Sequence, residues 1–221
     1  MTVAAIRQPL IDVEPEPQFV ELDNISWDLF IRLHRAIDAS GRHFRITYDD
    51  GRMVLMSPIG RTHERVKSLV RRLIEELTLE LEIPIEGLGS LTQKRKKLKK
   101  GLEPDESYLI QNCPRAVGKK RSNLPEDPLP DLVVEIDVTH HPIDRESIYA
   151  ALGVEELWRY KANRIEFLRL SGKKQYEKIS TSRALPIGAE EVNRFIAMLD
   201  LTSDHNSIIR AFRKWVRSTK K

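Results

Sequence analysis

The side chains able to do chemistry in this chain gather in three short segments. "EPDES" places Asp105 directly after Pro104, at the start of a predicted strand, where the proline fixes the approaching backbone. "VEIDV" carries Glu135 and Asp137, which project to the same side of a strand about 7 Å apart. "THERV" sets His63 three residues before Val66 and seven before Val70, so on a helix it follows the apolar stripe and faces a sheet. Two carboxylates about 4 Å apart repel by roughly 4 kcal/mol at the dielectric typical of protein sites. Such a pair takes up a proton, recruits Lys or Arg, or binds a divalent cation. Asp and Glu on neighbouring strands suit Mg²⁺, a hard cation that takes oxygen ligands and keeps several waters. It would activate a water and stabilise charge on a phosphate under in-line attack, with Lys or Arg assisting. Each residue has a plainer reading too: Asp105 as a turn acid, Glu135 and Asp137 as an exposed strand face, His63 as a hydrogen-bonded core histidine. His140 and His141 belong most simply to the loop before Pro142, because adjacent side chains diverge too far for a metal pair.

These residues need a sheet and helices to hold them. Alternation over residues 131–138 puts Leu132, Val134, Ile136 and Val138 on one face and Asp131, Val133, Glu135 and Asp137 on the other. A strand followed by a helix belongs to a parallel or mixed sheet covered on both sides, where both faces are normally apolar. The acidic face therefore calls for a cation or a cleft. Residues 26–40 read as a helix with Ser26 as N-cap and Trp27, Phe30, Ile31 and Ile37 as packing residues. Residues 43–58 form a hairpin about Asp50-Gly51. The stripe Val66, Leu69, Val70, Leu73, Leu77, Leu81 defines a helix over 61–82. Strands are predicted at 84–86, 89–95 and 105–110, followed by a loop over 111–130. After the acidic strand come a helix over 144–153, with Asp144 as cap and Gly153 at its end, and three strands turning at Ala162-Asn163 and Ser171-Gly172. Helices at 190–199 and 204–217 close the chain. This order describes an α/β, mixed α+β domain over residues 25–221, preceded by a flexible arm over 1–24.

Of 221 residues, 40% are hydrophobic and 32% charged, which excludes disordered and membrane classes. No apolar run approaches the roughly 20 residues of a membrane span, and the N-terminus lacks the apolar stretch of a signal peptide. The lone Cys113 excludes an internal disulfide and a thiolate-only zinc site, and a reducing cytoplasm fits it. The net charge of +4 is unevenly spread, with six positive charges in the seven residues "KRKKLKK". Lys94, Arg95, Lys96, Lys97, Lys99 and Lys100 there form either a solvated hairpin tip or a surface that contacts nucleic-acid phosphates and releases counterions.

Four segments, "GRMVLMSPIGRTHERV", "GLEPDESYLI", "LPDLVVEIDVTHHPIDRESIYAALGVEELWRY" and "FRKWVR", in that order, resemble the Uma-type family of restriction endonucleases over residues 20–217. That family is similar to a branch of the PD-(D/E)xK nuclease superfamily. The resemblance implies a restriction-endonuclease-like mixed central sheet flanked by helices, Mg²⁺ dependence and phosphodiester cleavage in DNA. It implies Pro104-Asp105 as the "PD", Glu135 as the second acid, and both carboxylates as Mg²⁺ ligands. Asp137 would be a third ligand or a partner of one, and His63, in the "HE" it forms with Glu64, would orient water or a carboxylate. The lysine of the E-x-K pattern falls on Asp137. Arg145 stands where many relatives carry a lysine; it stabilises charge but is a poor proton acceptor. Lys94 is a second candidate cation. Val54 stands near where many relatives carry a glutamate. These departures keep two other readings open: a catalytically silent nucleic-acid-binding module, and a structural homodimer packing Phe212 and Trp215 of its last helix on a partner.

Overall fold

The computed structural model describes residues 18–41, 44–57, 60–113 and 128–219. Two sheets carry the chain. The first has the order β1-β3-β2-β6-β5 and is antiparallel throughout, from β1 (Phe19–Leu22), β2 (Arg45–Asp49), β3 (Arg52–Met56), β5 (Gln93–Arg95) and β6 (Lys100–Leu102). The second has the order β11-β10-β9-β8-β7-β4, from β4 (Glu86–Gly87), β7 (Glu106–Leu109), β8 (Leu132–Asp137), β9 (Glu156–Lys161), β10 (Arg164–Leu170) and β11 (Tyr176–Ile179). Its β8–β9 pair is parallel and the others are antiparallel, so the sheet is mixed. The helices are α1 (Trp27–Ala39), α2 (Arg61–Glu80), α3 (Arg145–Leu152), α4 (Ala189–Ile196) and α5 (His205–Thr219). The α3 helix is the crossover that a parallel pair requires.

Local chemistry sets most boundaries. Ser26 accepts from the Leu29 amide at 3.2 Å and starts α1. The β2–β3 turn holds Asp50 and Gly51 at φ of 41° and 99°, and the β9–β10 turn holds Ala162 and Asn163 at 49° and 62°. Two consecutive positive φ values are what a two-residue hairpin needs to match strand twist. Asp144 accepts from Ser147 N at 3.3 Å to open α3, and Gly153 closes it at φ 92°.

The predicted α2 stripe is buried: Val66, Leu69, Val70, Leu73 and Leu77 pack on Leu132, Val134 and Ile136 of β8, with α4 and α5 completing that layer. The opposite face of β8 offers Val133 to Ile148, Tyr149 and Leu152 of α3 and to Val54 and Leu102 of the first sheet. Covered on both faces, β8 has nowhere to put its carboxylates except under α3. Two bidentate pairs, Arg213 with Glu76 and Arg217 with Glu80, clamp α5 along α2. No described helix is long and apolar enough to cross a membrane.

Several expectations are corrected. The arm over 1–24 is not wholly unstructured, because Phe19–Leu22 pairs with β3 from Phe19↔Met56 to Leu22↔Met53; residues 1–17 lie outside the described ones. The basic run lies at the tip of a hairpin, as one of its two readings had it, and the strand expected over 89–95 ends there. It bends through a short 3-10 turn, Lys96–Leu98, and Lys99 at φ 48° returns the chain as β6. The strand over 89–95 shrinks accordingly to β5, and most of the loop over 111–130 lies outside the described residues. Phe212 is buried within the chain, edge-on to Phe195 at a centroid distance of 4.9 Å, while Trp215 is half-buried and tilted against Phe195 at 5.8 Å.

Candidate active site

Strand register brings the two predicted acids together. β7 and β8 are antiparallel with Glu106 opposite Val134; continuing one step places Asp105 opposite Glu135, on the same face. Asp105 is 1% exposed, and both its oxygens are engaged. Oδ2 accepts from Ile136 N at 2.7 Å, while Oδ1 meets the Arg45 guanidinium and lies 2.8 Å from His63 Nε2. Burial alone would raise its pKa, but Arg45 and the His63 hydrogen bond reverse that and hold the carboxyl well below the usual range.

Glu135 has the opposite balance. Its Oε1 accepts from Arg145 Nη2 at 2.7 Å and from the Tyr149 hydroxyl, while its buried Oε2 has no partner. Burial pushes its pKa up to about 8, against the pull of Arg145 and with the repulsion of Asp105 and Asp137 added. Arg145 itself opens α3, donates to the Glu103 carbonyl at 2.5 Å, and stays a fixed cation because Glu135, Tyr149, Asp105 and Asp137 together outweigh the effect of its burial. Asp137 is raised as well, by burial, with Arg145, Arg159 and Lys161 opposing.

Glu135, Asp137, Arg145 and Tyr149 line a cleft of about 610 Å³ between the end of β8, α3 and β9. His141 also lines it. Its Nδ1 accepts from Ile143 N at 3.0 Å, and burial lowers its pKa to about 4, so the ring is neutral at physiological pH.

Of the residues singled out from sequence, the structure brings together Asp105, Glu135, Asp137, His63 and Arg145. It does not bring Lys94 to them: this half-buried lysine sits among Asp38, Arg35 and Glu103, and burial lowers its pKa. Val54 is fully buried among apolar side chains, so no acid enters the site from β3 at that position. In the basic hairpin, Lys96 pairs with Asp28 at 3.6 Å, Lys99 with Asp50 at 3.1 Å, and Lys100 with Asp49. Arg45, Tyr149 and Glu103 were missed. Tyr149 had a signal, because it lies four residues after Arg145 on one helix face. Glu103 had one too, two residues before Asp105; burial pushes its pKa up to about 7. Arg45 had none, since it arrives from the other sheet.

Among the described residues, no group of three or more His, Cys, Asp or Glu side chains is placed to hold a metal. The expected set of Asp105, Glu135 and Asp137 is therefore not assembled, because Arg45 and His63 hold Asp105. A narrower pair remains, the unpartnered Glu135 Oε2 and the Asp137 carboxylate on the same cleft. Mg²⁺ needs only one or two protein carboxylates when water and substrate phosphate supply the rest, so this pair fits it.

Residues 27–202 match the model of the Uma2 family, described as "Putative restriction endonuclease", and the chain belongs to that family. Among solved structures, the chain is similar to one described as "a putative nuclease belonging to DUF820" from Anabaena variabilis ATCC 29413. The two share 15% identity with a TM-score of 0.47, over 68% of this chain and 90% of that one. No curated protein matches.

Proposed function

We propose that this chain hydrolyses phosphodiester bonds in DNA, with Mg²⁺ as cofactor, in the cleft beneath α3. The observation that carries the reading is the convergence of Asp105 and Glu135 on one sheet face, with Arg145 bound to Glu135 and both lining the same cleft. Membership of the family supports the reaction class. Glu135 and Asp137 would hold Mg²⁺, which supplies Lewis-acid charge on a phosphate oxygen and lowers the pKa of a bound water.

The remaining roles belong to the chain's own groups. His63 and Arg45 lock Asp105 as a permanent anion, which fixes the Ile136 amide and hence the direction of Glu135 and Asp137 along β8. Arg145 and Tyr149 hold one Glu135 oxygen and leave the other toward reaction chemistry. Asp137 lies in the same cleft, where its carboxylate would be the second ligand beside Glu135.

A second reading is favoured by one observation: Arg45 and Arg145 already pair with Asp105 and Glu135, so these two acids have counter-ions without a metal. On that reading the chain is a silent nucleic-acid-binding module. Calorimetric Mg²⁺ titration with a plasmid-nicking assay separates the two, using wild type, Asp137→Ala and Asp137→Lys. The nuclease reading expects Mg²⁺ heat and nicking in wild type and neither in Asp137→Ala. Absence of both in wild type, or nicking restored only in Asp137→Lys, identifies the silent module.

A further inference from the structure

Among the charged side chains lining the cleft, β8 supplies two acids and β9 two cations. In the parallel register of β8 and β9, Glu135 stands beside Arg159 and Asp137 beside Lys161, so all four project to the α3 face. A phosphodiester entering this cleft comes up against the carboxyl groups of Glu135 and Asp137 in its wall. Each full negative charge at about 4 Å would repel it by roughly 4 kcal/mol at an effective dielectric near 20. A cation with charge to spare has to offset this.

Three Lys or Arg side chains line the cleft, and two are committed. Arg145 is held by Glu135 at 2.7 Å and by the Glu103 carbonyl. Arg159 is forked between Glu146 and Glu166, the latter at 3.0 Å. Lys161 is exposed and its charge acts on Asp137, but among the described residues no carboxylate lies within ion-pair distance of its ammonium. His141 contributes no charge, because its Nδ1 accepts a backbone hydrogen bond.

We infer that Lys161 is the phosphate-positioning residue of this cleft: its ammonium takes a non-bridging oxygen of the DNA backbone and seats the strand over Glu135 and Asp137. Lys161 is the neighbour of Asp137 across the parallel pair, so its side chain rises on the same face as the two acids. A lysine serves here as a point charge on a flexible stem, which reaches a phosphate without needing the fork geometry that commits Arg159. The inference rests on the nuclease or DNA-binding reading of the same cleft.

The test is fluorescence anisotropy of a labelled DNA duplex in EDTA, which separates binding from cleavage, over a series of salt concentrations. The variants are Lys161→Ala, Lys161→Arg, and Lys173→Ala as a control in the turn at the far end of β10. Removing one interaction with a duplex phosphate lowers the slope of log K against log salt by about 0.9. Lys161→Ala is expected to show that drop and severalfold weaker binding at low salt, with Lys161→Arg restoring the slope and Lys173→Ala matching wild type. With Mg²⁺ added, Lys161→Ala should raise KM more than it lowers kcat. Wild-type binding with an unchanged slope in Lys161→Ala, or an equal drop in Lys173→Ala, overturns the role of Lys161 while leaving the cleft's function standing. A wild type that binds no duplex at low salt overturns both.

Discussion

Glu135→Gln isolates the electrostatics of the site. Gln keeps the shape and still accepts through its carboxamide oxygen from Arg145 and Tyr149. In the folded chain the Glu135 carboxyl is pushed from 4.5 to about 8, chiefly by burial, with Arg145 and Tyr149 of α3 opposing and Asp105 and Asp137 reinforcing. A pKa raised on folding means the native state holds the proton more tightly. Its stabilising contribution is then complete below about pH 4.5 and is lost as pH climbs towards 8. The loss across that window is roughly 4–5 kcal/mol for this group. Glu103, raised to about 7 by burial, slopes the same way, so the wild type carries more than one such proton. Asp105 acts oppositely: its depressed pKa gives stability that disappears only as the solution becomes strongly acid. Urea denaturation at several pH values between about 5 and about 8 reads the difference. Wild-type stability should fall with pH across the window, while Glu135→Gln falls less steeply and overtakes the wild type at the alkaline end. If Glu135→Gln is weaker than wild type by the same amount at every pH, Glu135 is an ordinary ionised partner of Arg145 and the reasoning fails.

Other perturbations probe separate parts of the account. Arg45→Met strands the buried Asp105 charge with His63 as its remaining side-chain partner and should cost about 3–5 kcal/mol, read as a lower urea midpoint; an unchanged midpoint would show that Arg45 does not balance Asp105. Gly101→Ala drives a Cβ to 3.1 Å from both Lys94 Cβ and Phe30 Cζ, so overpacking of about 1–3 kcal/mol should appear in thermal unfolding. Neutralising Lys96, Lys97 and Lys99 together should lower the salt slope of DNA binding by about 0.9 for each phosphate that the hairpin no longer reaches. No change in that variant would leave the hairpin tip a solvated surface tied to Asp28 and Asp50.

What the sequence disclosed followed from short-range rules. Period-two alternation placed Glu135 and Asp137 on one side of β8, and period 3.6 put His63 on the buried stripe of α2, where it reaches Asp105. Capping and turn chemistry located α1, α3 and both tight hairpins. The illegible parts depend on neighbours distant in sequence. Arg45 lies sixty residues before Asp105 on the other sheet, and nothing in "HFRITY" marks it as that acid's counter-ion. β6 is the three-residue segment "KGL", which lacks strand propensity and exists because Leu102 pairs with both Thr47 and Gln93. The lysines of the hairpin look free in sequence because Asp28, Asp49 and Asp50 arrive from elsewhere. Charge partnership across a fold is a tertiary property, and it decides which cations remain for a ligand.

The most direct measurement is single-turnover cleavage of supercoiled plasmid with Mg²⁺, comparing wild type with Asp105→Asn after circular dichroism has shown both folded. The carboxylate pair opposite one another on β7 and β8 predicts nicking by wild type, suppressed by orders of magnitude in Asp105→Asn and abolished by EDTA. Equal nicking by the two proteins, or none by the wild type on plasmid or single-stranded DNA, would contradict catalysis at this site.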